Sequence, residues 1–245
     1  MLSHSSHKQS DRIGRIRAEE KRYHDQCYEQ HKLFEAGSWL HKPVQTVMEV
    51  LPELIQTDGM RVLDLGSGVG RNTIPIAAYL KPFNGTVIAV DLLSSAIEGL
   101  RSYSREHQVH PYIEIVQSDI ESYRIEADSF DAIIAVSTLE HLGSEDELKR
   151  KLAEIALGTK PGGILCIIMG THIQETAIRT NEALDPMFEI NMSTEAMNEL
   201  LQHTYQGWET MKHLVKPLVF EISRGDEPVR LASDCITYVV RKPGL

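Results

Sequence analysis

Cysteine is scarce in this chain: Cys27, Cys166 and Cys235 are the only three among 245 residues. An odd, widely spaced set gives neither a disulfide framework nor a Cys-x-x-Cys zinc pattern, and predicts a reducing, cytoplasmic setting. Long apolar runs are missing as well. The first twenty residues are polar and no stretch approaches the length of a membrane span, so no membrane partner is expected. Basic residues are outnumbered, 25 Lys and Arg against 35 Asp and Glu, for a formal net charge of -10. That argues against a broad nucleic-acid surface while leaving room for a small basic pocket, and no nucleic-acid partner is expected. What is present is a 42% hydrophobic content, enough for a sizeable core in one α/β domain with an additional lobe.

The chain is organised around Val62-Leu63-Asp64-Leu65-Gly66-Ser67-Gly68-Val69-Gly70-Arg71-Asn72. Val62, Leu63 and Leu65 are the apolar run of a buried parallel strand. Gly66, Gly68 and Gly70 permit a tight turn and close approach to a ligand, and the following helix directs free N–H groups back at that turn. A second buried strand, 86–90, ends in Asp91, 23 residues after Gly68. A carboxylate there can accept hydrogen bonds from ribose hydroxyls. The glycine spacing is Gly-x-Gly-x-Gly, not the Gly-x-Gly-x-x-Gly of dinucleotide sites.

Around this centre the pattern alternates. Residues 1 to about 10, with His4 and His7, read as a disordered tail, and Asp11–Phe34 as a polar helix or mobile arm. A helix is expected near Pro43–Ile55, ended or kinked at Pro52. Strands are expected at 61–65, 86–90, 112–117, 131–137 and 164–169. The intervening helices run from about 71 to 80, from Ser94 (a candidate cap) to His107, and from a capping box at Ser144. Lys160–Gly163 reads as a turn and 170–192 as an irregular connection. Ser193 caps a further helix to about His203. Trp208–Ile222 and Asp234–Arg241 form a hairpin about Arg224-Gly225-Asp226. Repeated β-α units imply a doubly wound, mostly parallel, Rossmann-like sheet with a C-terminal antiparallel hairpin and an N-terminal helical arm.

An acid before the glycines, the glycine spacing and Asp91 together resemble a class I S-adenosylmethionine (SAM) dependent methyltransferase, which implies a seven-stranded sheet and SAM as cofactor, with S-adenosylhomocysteine (SAH) as product. The resemblance implies that Asp64 lies near the ligand ammonium, with Gly66, Ser67, Gly68, Gly70, Arg71 and Asn72 around it. It implies further that Asp91 holds the ribose, Leu92 covers one adenine face, and Ser118, Asp119 and Ile120 meet the rest of the adenine, with Val136 lining the pocket. For Asp64 and Asp91 a helix cap is the alternative, and Asp is common after strands, which weakens Asp119. Phe130–Leu142 resembles the segment that faces the transferred methyl, and Glu140-His141 suggests acid–base work or pocket lining. Shorter matches, Gly70-Arg71-Asn72-Thr73, Gln206-Gly207-Trp208-Glu209 and Tyr238–Lys242, are similar to tellurite-resistance methyltransferases. Tyr23–Tyr28 and His41 resemble that family's cofactor-covering segment, which adds Tyr28 to the cofactor set.

The expected division is a tail and helical lid over 1–42, then a methyltransferase domain over 43–245 with an acceptor-side insertion at 170–205. The implied activity is methyl transfer to a small-molecule acceptor, with a soft chalcogen (tellurite, selenite or a thiol) suggested by the closer resemblance. His141 and His41 are the candidate catalytic residues, and no metal is implied. A non-catalytic SAM or SAH sensor and an O- or N-methyltransferase with a histidine base are the alternatives. Oligomeric state is left open.

Overall fold

A computed structural model describes residues 2–244, with side chains from residue 11 onward. Helix α1 spans Leu2–Gln30. Its first turns fall in the stretch read as a tail, whose side chains, with His4 and His7, lie outside the described residues. A 3-10 turn at Trp39–His41 and the short helix α2, Gln45–Val50, lead into the sheet, and a 3-10 turn containing Pro52 ends α2.

The β-α units follow in order. They are β1 (Arg61–Leu65), α3 (Thr73–Leu80), β2 (Thr86–Asp91), α4 (Ser94–Glu106), β3 (Ile113–Gln117), β4 (Phe130–Val136), α5 (Glu145–Gly158) and β5 (Thr159–Ala177). The two-residue β6 (Ala183–Leu184), α6 (Thr194–Thr204), β7 (Glu209–Arg224) and β8 (Glu227–Arg241) complete the chain. The strand order is β3-β2-β1-β4-β5-β8-β7, with β6 attached to β5 as an eighth, marginal strand. β1 to β5 run parallel, whereas β8 is antiparallel to both β5 and β7. Seven main strands with an antiparallel C-terminal pair match the expected architecture.

Burial explains the central strands. Val62, Leu63 and Leu65 on β1, and Ala132 to Ala135 on β4, have no exposed surface, because helices cover both faces. One layer packs Val62, Ile76, Leu80 and Val87; the other packs Leu63, Ile133, Leu148, Leu152 and Ile155. Each such side chain removed from water contributes about 1.5–3 kcal/mol. Ser144 caps α5 as expected, its Oγ accepting from the Glu147 N–H at 3.2 Å, while the Glu147 carboxylate turns to Arg150 instead of closing the box. Ser193 Oγ likewise accepts from Ala196 N–H, so α6 starts where its sequence indicates.

Three expectations are corrected. Lys160–Gly163 is a bulge inside β5, where Thr159 opposes Phe130 but Ile164 opposes Ala132. Residues 170–177 continue β5, pairing with β8 as far as Ala177↔Val229. Their strand alternation is obscured because the buried side includes Thr171 and Glu175, with Ile173 and Ala177. Glu175 tolerates burial by sitting against the Arg224 guanidinium. Ser94 begins α4 without capping it: the N-cap position is Leu93, whose N–H is taken by Asp91. The hairpin turns where expected, with Arg224 opposite Glu227, though its second strand starts at Glu227, ahead of the expected Asp234.

Candidate cofactor and acceptor site

In an open α/β sheet the strand order reverses at one point, and ligands bind at the carboxyl ends there. Here that point lies between β1 and β4. The loop after β1 crowds the loop after β4: a Cβ on Gly66 would lie 2.4 Å from Thr138 Oγ1. Gly66, Gly68 and Gly70 all have positive φ, at 72°, 53° and 100°, so only glycine follows this path without strain.

The two acids hold the loop. Asp91 Oδ2 accepts from Gly68 N–H at 2.8 Å, and Oδ1 accepts from Leu93 N–H at 2.9 Å. The carboxylate thus ties the glycine turn to the start of α4, which joins the ligand-binding and capping readings of this residue. Burial raises its pKa, partly offset by those two N–H groups. Asp64 is 2% exposed and accepts from the Thr73 hydroxyl at 2.6 Å. Burial pushes its pKa up to about 7, against the lowering by Thr73 and with a smaller push from Asp91. Ser67 Oγ is buried with no hydrogen-bond partner among the described residues. An orphaned hydroxyl, a turn only glycine can follow and a part-exposed carboxylate beside it fit a ligand with a ribose diol and an amino-acid end.

Of the other expected residues, Leu92 is 47% exposed on the loop after β2, and Ile120 is buried in the core. The Ser118 N–H donates to Asp91 O. Asp119 accepts from Glu121 N–H and pairs with Arg17 at 3.2 Å. Val136 ends β4 beside Ile168. Arg71 and Asn72 face the arm: Asn72 Oδ1 accepts from Val44 N–H at 2.9 Å, and the Arg71 guanidinium reaches Lys42 O and lies over Trp39.

Sequence reasoning missed how much α1 contributes. Arg12, Arg17, Glu20, His24 and Tyr28 recur at three- to five-residue spacing, near enough to helical periodicity to share a face. Tyr28 Oη lies 3.1 Å from where a Gly68 Cβ would stand, and His24 and Tyr28 pack with Trp39. Glu20 Oε2 lies 2.9 Å from His141 Nδ1. Arg17 reaches Asp119, Glu121 and Glu189, while Arg12 bonds Asp185 and the carbonyls of Pro186 and Phe188. Helix α1 therefore lies along the carboxyl edge of the sheet, from the glycine turn to the 185–189 loop. A stripe of mixed charges within a polar helix was the available signal.

His141 meets Glu20, Glu189 at 3.1 Å, and the Phe188 ring. Burial alone would lower its pKa, but Glu189 and Glu20 outweigh that and raise it to about 10. Glu20 is lowered to about 2: burial opposes the shift, and His141 and His24 override it. Glu140 is buried and its pKa raised by that burial; its Oε1 accepts from Gly170 N–H, so it secures β5 to the loop after β4. His41 is exposed on the 3-10 turn and is not among the groups around His141.

Comparison with known proteins agrees with the fold. Residues 62–163 match the methyltransferase domain family. The carboxy-S-adenosyl-L-methionine synthase of Shewanella woodyi is 26% identical over 174 residues, covering 71% of this chain and 68% of that protein. The mouse tRNA N(3)-cytidine methyltransferase METTL2 is 26% identical over 109 residues, 44% of this chain and 28% of its own length. Among solved structures, TehB of Haemophilus influenzae superposes with a TM-score of 0.61 at 18% identity, over 81% of this chain and 62% of its own. No described helix is long and apolar enough to cross a membrane. In its motif-bearing segment and in its whole fold the chain resembles the class I SAM-dependent methyltransferases, TehB among them, a class whose cofactor is SAM.

Proposed function

We propose that this protein is a SAM-dependent methyltransferase whose small-molecule acceptor binds beneath α1, between His141 and the 185–192 loop. The observation that carries the reading is Asp91, a half-buried carboxylate fixed by Gly68 N–H at the mouth of a turn only glycine can make. SAM brings a methyl group already activated on a sulfonium. Asp91 holds the ribose, Ser67 and the glycine backbone take the amino-acid end, and Asp64 faces the ammonium from below. Leu92, Ile120, Asp119 and Val136 surround the adenine side. Arg71 and Asn72 hold the arm, and Tyr28 closes over Gly68. In this reading residues 1–42 form the lid, 43–245 the methyltransferase domain, and 170–205 the acceptor side.

His141 keeps its proton at neutral pH, so it orients ligand and lid and does not abstract protons. An acceptor that arrives deprotonated, such as a thiolate or a related chalcogen anion, needs no base. Holding it in line behind the methyl can supply about 7–11 kcal/mol of barrier reduction. An amine or phenol would need a base worth about 10²–10⁴-fold. The similarity to a carboxy-SAM synthase over most of both chains supports a second reading, in which SAM itself is the molecule modified.

Mass spectrometry of reactions with SAM and a panel of thiols, selenite, tellurite, amines and phenols tests this. Accumulation of SAH with a methylated thiol or chalcogen is expected. A carboxylated SAM, formed when a carboxylic-acid donor is added to the mixture, supports the second reading. Tight SAM binding with no product from any acceptor leaves the binding-only alternative in its place.

A further inference from the structure

The contacts between α1 and the loop after β4 include an arrangement that methyl transfer does not require. His141 Nδ1 lies 2.9 Å from Glu20 Oε2 and 3.1 Å from Glu189 Oε2, and the three atoms fall within 4.8 Å of one another. One ring nitrogen carries one proton and directs it along one line. Here two carboxylate oxygens converge on that nitrogen. Glu189 has no exposed side-chain surface, and its second oxygen has no hydrogen-bond partner among the described residues, with Arg17 Nε at 3.6 Å as a facing charge. Neighbouring Glu140 also has a buried oxygen without a partner. The two separations from His141 are those of cis ligands on an octahedral divalent ion, where bonds of about 2.0–2.2 Å at right angles put donor atoms about 2.8–3.1 Å apart.

We propose that Glu20, His141 and Glu189 form a binding site for a divalent first-row transition metal. One imidazole and two carboxylates suit manganese(II), iron(II) or zinc(II) better than calcium, which takes oxygen ligands alone. Two carboxylate charges neutralise the ion, and the proton that His141 Nδ1 keeps in the metal-free protein leaves to solvent as the metal takes its place. Three protein ligands leave coordination positions open for water or acceptor oxygen. Glu20 belongs to α1, whereas His141 and Glu189 belong to the domain beneath it. The ion therefore clips the helix in place, and its binding stabilises the closed arrangement by mass action. The site does not depend on the cofactor reading.

The test uses tag-free, full-length protein stripped with chelator and titrated with manganese(II) in the absence of SAM. Free ion is followed by electron paramagnetic resonance, and heat is measured in two buffers of different ionisation enthalpy. Binding of one ion per chain is expected, with release of about one proton and slowed hydrogen exchange over residues 11–30. Glu20→Gln, on a partly exposed helix position, and Glu189→Gln should each weaken binding at least tenfold while keeping the native circular dichroism. No binding at millimolar manganese(II) or zinc(II), or undiminished binding in folded Glu20→Gln, overturns the proposal. SAH titration of the same samples separates the two readings, because failure to bind SAH with the metal site intact counts only against the cofactor assignment.

Discussion

The cofactor half of the molecule and the acceptor half are held together over different distances in the chain. On the cofactor side, the deciding bonds join residues 2, 9 and 23 positions apart: Asp91 with Leu93, Asp64 with Thr73, and Asp91 with Gly68. On the acceptor side they join residues 48, 49 and 173 apart: His141 with Glu189, Glu175 with Arg224, and Arg12 with Asp185. The first set is carried by one strand–turn–helix and its neighbour, so the backbone geometry is dictated locally. The second depends on α1, the loop after β4, β5, the 185–189 loop and β7 arriving together and on polar contacts between them. The cofactor half should accordingly be rigid and intolerant of substitution, and the acceptor half adjustable.

The largest expected effect tests the rigid side. Asp91→Ala removes a carboxylate that ties two backbone N–H groups and, in the proposed complex, two ribose hydroxyls. Charge-assisted bonds of this kind contribute about 1.5–3 kcal/mol each, so SAH affinity should fall at least ~100-fold in calorimetry. Unchanged affinity in a folded variant would take Asp91 out of the site. Gly66→Ala comes next. At φ 72° and with Thr138 Oγ1 2.4 Å from the new Cβ, it meets backbone strain of about 1–3 kcal/mol and overpacking of similar size. Gly225→Ala at the hairpin tip has φ 63° but nothing within 4 Å, so only strain remains. Denaturant unfolding should show Gly66→Ala as clearly the more destabilising; equal losses would erase the contrast.

The same contrast explains what could be read from the chain. β1, β2 and β4 announce themselves as continuous apolar runs, and Gly66–Gly70 and Asp91 announce the turn they flank. The far part of β5 was hidden because Thr171 and Glu175 occupy its buried side, and a buried Glu is legible only beside Arg224, 49 residues away. Tyr28 was legible through resemblance, whereas Arg17, Glu20 and Glu189 were not, because their partners lie on other elements. Ser94 failed as a cap because the Asp91 carboxylate already meets the start of that helix.

A pH series probes the adjustable side at moderate cost. His141 rises from 6.5 to about 10 on folding, so its contribution is complete below pH 6.5 and is lost as pH climbs through 10. Glu20 falls from 4.5 to about 2, so its contribution is complete above pH 4.5 and is lost as pH drops through 2. Docking of α1 through this pair should be firmest between about pH 4.5 and 6.5. Asp64, raised to about 7, penalises the fold as pH rises from 3.8 to 7, but equally in any α1 variant, so it cancels from the difference. The stability gap between wild type and Glu20→Gln should shrink from pH 6.5 to 10; a constant gap would show that this pair does not hold the helix.

The smallest effect is the sharpest test of how separable the halves are. Arg12 anchors the outer part of α1 to the 185–188 loop through the Asp185 carboxylate and two carbonyls, but its side chain is 32% exposed and that of Asp185 is 69% exposed. Exposed pairs of this kind contribute about 0–1 kcal/mol, so Arg12→Ala should leave the melting temperature almost unchanged. The residues it touches belong only to the acceptor half, and none of its contacts reaches Gly66–Gly70 or Asp91. Hydrogen exchange should therefore quicken at 11–20 and 185–190, with protection of β1 and β4 and affinity for SAH both as in wild type. Any acceptor that depends on the closed helix should show a raised KM with kcat little altered, the pattern of lost uniform binding. If Arg12→Ala instead weakened SAH binding several-fold, α1 would be transmitting strain along its length to Tyr28 and the glycine turn, and the two halves would have to be treated as one cooperative unit.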